Sequence, residues 1–227
     1  TGGSETARRA PIASMTELDD TSEEQSSVRL DRFSAAGFDR GASRVKEALW
    51  VGIASPVLSS FIPGSRWRAR LLRSFGARIG TGTVWKPHVR VKFPWRLSVG
   101  DHCWVGEEVW IDNLASVKLG NHVCLSQGAY LCTGNHDWSV ETFDLITREI
   151  IIRDGSWVGA KAVISPGTTI NEAAVVTAGS LGSGDLEASK IYRGNPAKPV
   201  GSRKMAKSYT ASGDNRRQAS QLAPAGE

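Results

Sequence analysis

From residue 79 onward a large apolar residue returns at a basic step of six: Ile79, Trp85, Val91; Val99, Val105, Ile111; Leu119, Leu125, Leu131; then Ile152, Val158, Ile164, Ile170 and Val176. Thirteen of these fourteen are Ile, Leu or Val, types that supply only 45 of the 227 residues. A helix repeats its apolar positions near every 3.6 residues and a strand every 2, so a period of six with turn residues between predicts short strands wound into a solenoid. A second position keeps the same frame. Four residues after each of these positions, from Val99 on, stands Cys103, Val109, Ala115, Val123, Ala129, Ser156, Ala162, Thr168, Ala174 or Ser180, all small or β-branched, with Asn135 the exception. Glycine follows the apolar residue directly at Gly80, Gly100, Gly106, Gly120 and Gly159, where a tight corner is expected to need a residue free of Cβ constraints.

The steps run six, six, eight; six, six, eight; six, six, twenty-one; then six throughout. The two-residue extras after the third hexad of the first two coils therefore stack on a fifteen-residue extra in the third. One corner of the solenoid carries every insertion, and the longest, residues 137–151, begins directly after His136.

Upstream of the repeat, residues 1–28 are polar and acidic, with no apolar stretch suited to a signal peptide, and read as a disordered tail. Residues 29–78 read as a helical segment. Its most apolar run, Ala48 to Ile62, is broken by Pro56 and falls short of the ~20 residues that span a bilayer. The default role of Val45 to Phe75 is to cap the open end of the solenoid; the alternative is a membrane-surface helix, since the stretch also carries Arg66, Arg68, Arg70 and Arg73. The solenoid occupies 79–187 with its insertion at 137–151, a C-terminal motif 188–201, and a disordered tail 202–227.

The net charge of +5 is unevenly spread: residues 29–96 carry fourteen basic and three acidic side chains, residues 97–190 five and twelve. Charge alone does not choose between anionic lipid, nucleic acid and a phosphorylated cofactor, but no helix-turn-helix, zinc finger or RNP-like run accompanies it, so nucleic acid is not an expected partner. Three cysteines, Cys103, Cys124 and Cys132, without CxxC or CxxH spacing suggest neither a disulfide framework nor a zinc knuckle, and fit a reducing, cytoplasmic setting.

Candidate chemistry gathers at the insertion. In Thr133-Gly134-Asn135-His136-Asp137-Trp138 a coil leaves the core, and a histidine mounted there suits the task of deprotonating a hydroxyl near neutral pH. Cys132, four residues earlier, reads as a small apolar filler rather than a nucleophile. His102 and His122 share one slot of successive coils and should stack; no HxxxxH spacing accompanies them, so stacked surface histidines are expected rather than a metal pair, and no metal is expected.

Longer strings sharpen the reading. Pro94-Trp95-Arg96-Leu97, Trp110-Ile111-Asp112-Asn113-Leu114-Ala115, Ser126-Gln127-Gly128-Ala129-Tyr130, Asn135-His136-Asp137-Trp138 and Gly194-Asn195-Pro196-Ala197-Lys198 resemble the hexapeptide-repeat acyltransferases, in particular the colanic acid biosynthesis acetyltransferases and their maltose and galactoside O-acetyltransferase relatives. With Asp39-Arg40-Gly41 and Leu72-Arg73-Ser74-Phe75-Gly76-Ala77, the resemblance covers residues 29 to 201.

It implies a left-handed parallel β-helix, an all-β solenoid, whose handedness comes from the resemblance and not from the spacing. It implies transfer of acetyl from acetyl-CoA to a sugar hydroxyl of an exopolysaccharide or its lipid-linked precursor, by direct attack with His136 as base. Asp112 would contact the acceptor with Asn113 beside it, and Asp137 and Trp138 would flank it. Ala160, Ala178, Gly179, Ser183, Arg193 and Lys198 would face the CoA, with Arg203 in support. Where relatives carry Thr-Lys this chain has Ser183-Gly184, so one phosphate-contacting lysine is missing. A homotrimer is implied, with His136 of one subunit facing the CoA-binding coils of the next. The competing readings are a γ-carbonic-anhydrase-like metalloprotein and a non-catalytic solenoid scaffold.

Overall fold

A computed structural model describes residues 27–35 and 37–205; most of both expected tails lies outside the described residues. The chain winds through three parallel sheets that form the faces of a prism. The first face stacks Arg78–Ile79, Leu97–Val99, Val117–Leu119, Ile150–Ile152, Thr169–Ile170 and Asp185–Leu186; the second stacks Val84–Trp85, Trp104–Val105, Cys124–Leu125, Trp157–Val158, Val175–Val176 and Lys190–Gly194; the third stacks Arg90–Val91, Trp110–Asp112, Tyr130–Cys132, Val163–Ile164 and Leu181–Gly182. Ala197–Ser202 folds back antiparallel on the last strand of the second face.

Each strand is so short that it turns only one or two side chains inward, and all fourteen predicted six-step positions are buried. Coil pairs with coil in the predicted frame, Ile79 with Val99, Val99 with Leu119, Leu119 with Ile152 and Ile152 with Ile170. The repeat also runs past the last predicted position. Gly182 pairs with Ile164, Leu186 with Ile170 and Tyr192 with Val176, the step from Gly182 to Leu186 being only four. Tyr192 closes the end of the core, and its hydroxyl accepts the Glu187 amide at 2.9 Å.

The corner glycines are needed for their missing Cβ, as expected. Gly80, Gly100, Gly106, Gly120 and Gly159 do not adopt positive φ; the left-handed corner positions belong to residues such as His88, His102, Glu108, His122 and Lys161, at φ 55 to 60°. What the glycines allow is close approach of successive coils. A Cβ on Gly100 would lie 2.6 Å from Asn121 Oδ1 and 2.7 Å from the Gly120 carbonyl carbon.

Beside them runs a ladder of side chains capping the previous coil: Asp101 Oδ1 accepts the Thr81 amide at 2.6 Å, Asn121 Oδ1 the Asp101 amide at 2.8 Å, and Asp154 Oδ1 the Asn121 amide at 2.9 Å. The hydrogen bonds from Thr81 hold the Asp101 carboxyl below its ordinary range, and those from Asn121 do the same for Asp154. A carboxylate whose pKa is lower folded than unfolded stabilises the fold above the unfolded pKa and stops doing so as pH falls through the folded value. Melting temperature should therefore fall as pH drops below about 4, and Asp154→Asn should flatten that slope in melts followed by circular dichroism.

Helices α1 (Arg44–Leu49), α2 (Ser55–Leu58) and α3 (Ser65–Ser74) cover the first coil, a π-helical turn over Trp50–Ala54 joining the first two. Ser43 caps α1 by accepting the Lys46 amide at 3.3 Å. Pro56 sits in the first turn of α2, directly after the π-helical turn. Trp50, Ala54 and Leu58, four residues apart, are buried together with Ala69 and Leu72, and Trp50 Nε1 donates to the Val91 carbonyl at 3.1 Å.

Candidate active site

The corner from the third face to the first carries the candidate site. At its base the extra residues of successive coils form a sealed plug. Asn113 is fully buried, its Oδ1 accepting the Phe93 amide at 2.9 Å and its Nδ2 donating to the Phe93 carbonyl at 2.6 Å. Thr133 above it donates its hydroxyl to the Asp112 carbonyl and accepts the Ala115 amide, both at 2.9 Å. The expectation that Asn113 contacts an acceptor is thus corrected: both ends of its amide hold two coils together, and none of it reaches solvent.

The long insertion is a β-hairpin rather than an open loop. Gly134–His136 pairs antiparallel with Leu145–Thr147, His136 opposite Leu145, and the chain rejoins the first face at the buried Ile150. Gly134 lies where a Cβ would come within 2.6 Å of Leu114 Cδ1, so the hairpin leaves the prism close against the coil below. Asn135, the exception in the small-residue pattern, is exposed because the chain has already left the core there.

His136 Nδ1 lies 2.8 Å from the Phe143 carbonyl. A carbonyl can only accept, so the proton of the neutral ring sits on Nδ1 and Nε2 keeps a lone pair. The ring is parallel to Phe143, centroids 4.3 Å apart and planes 4° apart, and the edge of Phe33 meets it at 5.4 Å. Phe33 is held there because Glu141 in the hairpin tip takes the Arg29 amide on its carbonyl at 2.8 Å and the Arg32 guanidinium on its carboxylate at 2.9 Å. Beside the hairpin, Phe38, Asp39, Arg96, Asp144, Leu145 and Thr147 line a cleft of about 590 Å³.

Asp112 stands on the same corner one coil before the hairpin, opposite Cys132. Tyr130 donates its hydroxyl to Asp112 Oδ2 at 3.3 Å, and Lys92 Nζ approaches Oδ1 at 3.4 Å without a hydrogen bond. Burial, then Cys132 and Asp112, push the Tyr130 hydroxyl above its ordinary value, so it stays a donor at neutral pH. Cys132 donates its thiol to the Gly134 carbonyl at 3.1 Å.

Asp137 is turned onto its own turn, Oδ1 accepting the Ser139 amide at 2.9 Å and the Ser139 hydroxyl, and these bonds hold its carboxyl below the usual range. Trp138 beside it is 73% exposed.

The residues expected to face CoA lie elsewhere on the chain. Ala160, Ala178 and Gly179 occupy the corner between the second and third faces, where Gly179 donates its amide to the Ala160 carbonyl at 2.9 Å and the amides of Ala160 and Ala178 have no partner among the described residues. Ser183 is exposed just past the last strand of the third face. Arg193 and Lys198 are paired across the terminal hairpin, both exposed and in no ion pair among the described residues. Arg203 is a correction: its guanidinium donates to the Gly155 carbonyl at 2.7 Å and the Ala173 carbonyl at 3.3 Å, on the corner between the first and second faces. One chain therefore does not bring His136 to the Ala160–Ala178 corner, since the whole third face stands between them.

His102 and His122 stack as expected, 5.2 Å apart and 13° from parallel. Among the described residues no three His, Cys, Asp or Glu side chains cluster to hold a metal. Tyr130, Phe143 and Phe33 were missed from the sequence. Tyr130 was in reach, because it occupies the outward slot directly above Trp110, whose ring it stacks on at 4.6 Å.

Among models of protein families, none matches the chain. The provisionally named colanic acid biosynthesis acetyltransferase WcaF of Escherichia coli is 38% identical over 170 residues, 74% of this chain and 93% of that protein. The galactoside O-acetyltransferase of Escherichia coli is 23% identical over 59% of this chain and 67% of that protein. Among solved structures, a hexapeptide-repeat acetyltransferase from Vibrio cholerae, complexed with acetyl coenzyme A, superposes with a TM-score of 0.65 at 26% identity, over 73% of this chain and 92% of that one. With its six-step core, its stacked insertions and a relative matched along nearly its whole length, the chain belongs to the hexapeptide-repeat acetyltransferases.

Proposed function

We propose that the protein moves an acetyl group from acetyl-CoA to a hydroxyl of a sugar in exopolysaccharide or glycan assembly, with His136 as general base. The observation that carries this reading is the tautomer of His136, whose Nδ1–H is engaged by the Phe143 carbonyl while Nε2 of the neutral ring keeps its lone pair. Nε2 takes the proton of the acceptor hydroxyl, the alkoxide oxygen attacks the thioester carbonyl carbon, and the C–S bond breaks as the imidazolium returns the proton to the leaving thiolate. No acyl-enzyme is needed. Asp112, oriented by Tyr130 and Lys92, binds the acceptor from the coil below, and Trp138 offers an exposed ring for a sugar face. The sugar-directed names of WcaF and the galactoside enzyme support the acceptor class, and the acetyl-CoA complex of the Vibrio protein supports the donor.

On this reading the free amides of Ala160 and Ala178, with Gly179 and Ser183, line the path of the pantetheine arm, and Arg193 and Lys198 meet the phosphates. Because those groups and His136 occupy different corners, a complete site is proposed to form between copies in a homotrimer. The outward rows Trp104–Trp157 on the second face and Trp110–Tyr130 on the third supply apolar area for such contacts. Light scattering on the eluted protein should give three chains; a monomer that turns over would overturn this arrangement.

The reaction is tested by following thiol release from acetyl-CoA against a panel of glycans. Release that requires a sugar supports the proposal, and release with no acceptor dependence overturns it. In the same assay Arg193→Ala with Lys198→Ala should raise the KM for acetyl-CoA by roughly tenfold or more, two charge-assisted phosphate contacts being lost, with kcat little changed.

A further inference from the structure

The helical cap is apolar on two sides. Trp50, Ala54 and Leu58 pack inward, and a second row at the same spacing of four, Val45, Leu49, Ile53, Val57 and Phe61, faces away with exposures of 70, 48, 63, 43 and 80%. Residues spaced by four share one helical face, so Val45 to Val57 form one row that Phe61, in the loop after α2, extends, and the π-helical turn at Trp50–Ala54 lies in the middle of it. Val51 and Ile62 add exposed apolar area beside it. A helix that buries one apolar row needs no second one to hold the fold.

The tip of the row is held firmly. Arg68 is fully buried and donates to the carbonyls of Leu58, Ser60, Ile62 and Gly64 at 2.6 to 3.1 Å. Those four bonds fix the loop that displays Phe61. Charge selects the occupant. Residues 40–73 carry seven basic side chains and one acidic; the acidic one, Glu47, is taken by Arg40. Arg44, Arg66 and Arg70 are exposed and in no ion pair among the described residues.

We infer that the outward row Val45–Leu49–Ile53–Val57–Phe61, on a helical cap that also carries the exposed Arg44, Arg66 and Arg70, is a docking surface for an anionic lipid bilayer. The apolar row enters the boundary between headgroups and acyl chains while the arginines meet lipid phosphates. No helix among the described residues is long and apolar enough to cross a membrane, so this contact lies along the surface. The inference stands apart from the proposed reaction.

The chain of residues 1–227 is to be sedimented with vesicles of phosphatidylglycerol and phosphatidylethanolamine, and with vesicles of phosphatidylcholine alone. The wild type should pellet with the anionic vesicles and stay largely in solution with the neutral ones. Ile53→Ser with Phe61→Ser, and separately Arg66→Glu with Arg70→Glu, should each weaken pelleting at least roughly tenfold, with melting temperature and the velocity of sedimentation without vesicles unchanged. Failure of the wild type to pellet, or pelleting of either variant as strong as that of the wild type, overturns the inference. So does a shift in oligomeric mass in the Ile53→Ser, Phe61→Ser protein, which would assign the row to a second copy of the chain. None of these readouts depends on acetyl transfer.

Discussion

Replacing His136 with alanine is expected to lower kcat with the best sugar acceptor by roughly 10²- to 10⁴-fold, the contribution usual for a positioned general base, while the KM for acetyl-CoA stays near the wild-type value. The ring is clamped between Phe143 and Phe33 and tied through Nδ1 to the Phe143 carbonyl, so its removal takes away the base without touching the buried core. His136→Asn keeps a donor for the Phe143 carbonyl and still lacks a basic nitrogen. It should therefore be as slow as the alanine variant while melting closer to the wild type. Wild-type rates of CoA release from either variant would place the base elsewhere.

Gly100→Ala is expected to cost about 2–3 kcal/mol of stability, as a methyl forced between closely packed groups does, and to lower the melting temperature by roughly 5–10 °C. The added Cβ would meet Asn121 Oδ1 and the Gly120 backbone at 2.6–2.7 Å, and Asn121 cannot yield freely because it also accepts the Asp101 amide. Gly52 is the control. Its Cβ would meet nothing within 4 Å and it lies within the π-helical turn of the cap, so Gly52→Ala should leave stability unchanged or raise it by up to about 1 kcal/mol. Equal melting of the two variants would show that coil spacing tolerates the extra carbon.

The inward frame could be read from the sequence because one period governs it. Residues such as Ile111, Leu131 and Ile164 have a single environment, the prism interior, and any slip would expose them. The end of the repeat was less legible: Gly182, Leu186 and Tyr192 continue it through a four-residue step and a change of side-chain type. At the site, His136 was found from its place beside the longest insertion, but its tautomer is set by a backbone carbonyl, and carbonyls carry no sequence signal. Asn113 misled for a related reason. In a string it is a polar residue next to Asp112, and only the packing of two coils shows that its amide is consumed by Phe93. Arg203 lies away from the Ala160–Ala178 corner, one guanidinium nitrogen donating to two carbonyls of another corner, a placement that its charge alone does not reveal.

The corner between the third and first faces varies in length from coil to coil, from the four-residue step at Gly182–Leu186 to the hairpin after Leu131, yet Ile150–Ile152 returns to pair with Val117–Leu119 after the excursion as though no chain had intervened. Such a corner is a socket. Lengthening or exchanging the segment plugged into it leaves the strand pairing of the coils on either side intact, so on the proposed function a change of acceptor is open there by grafting a different hairpin, with the proposed donor-side corner carried over unchanged.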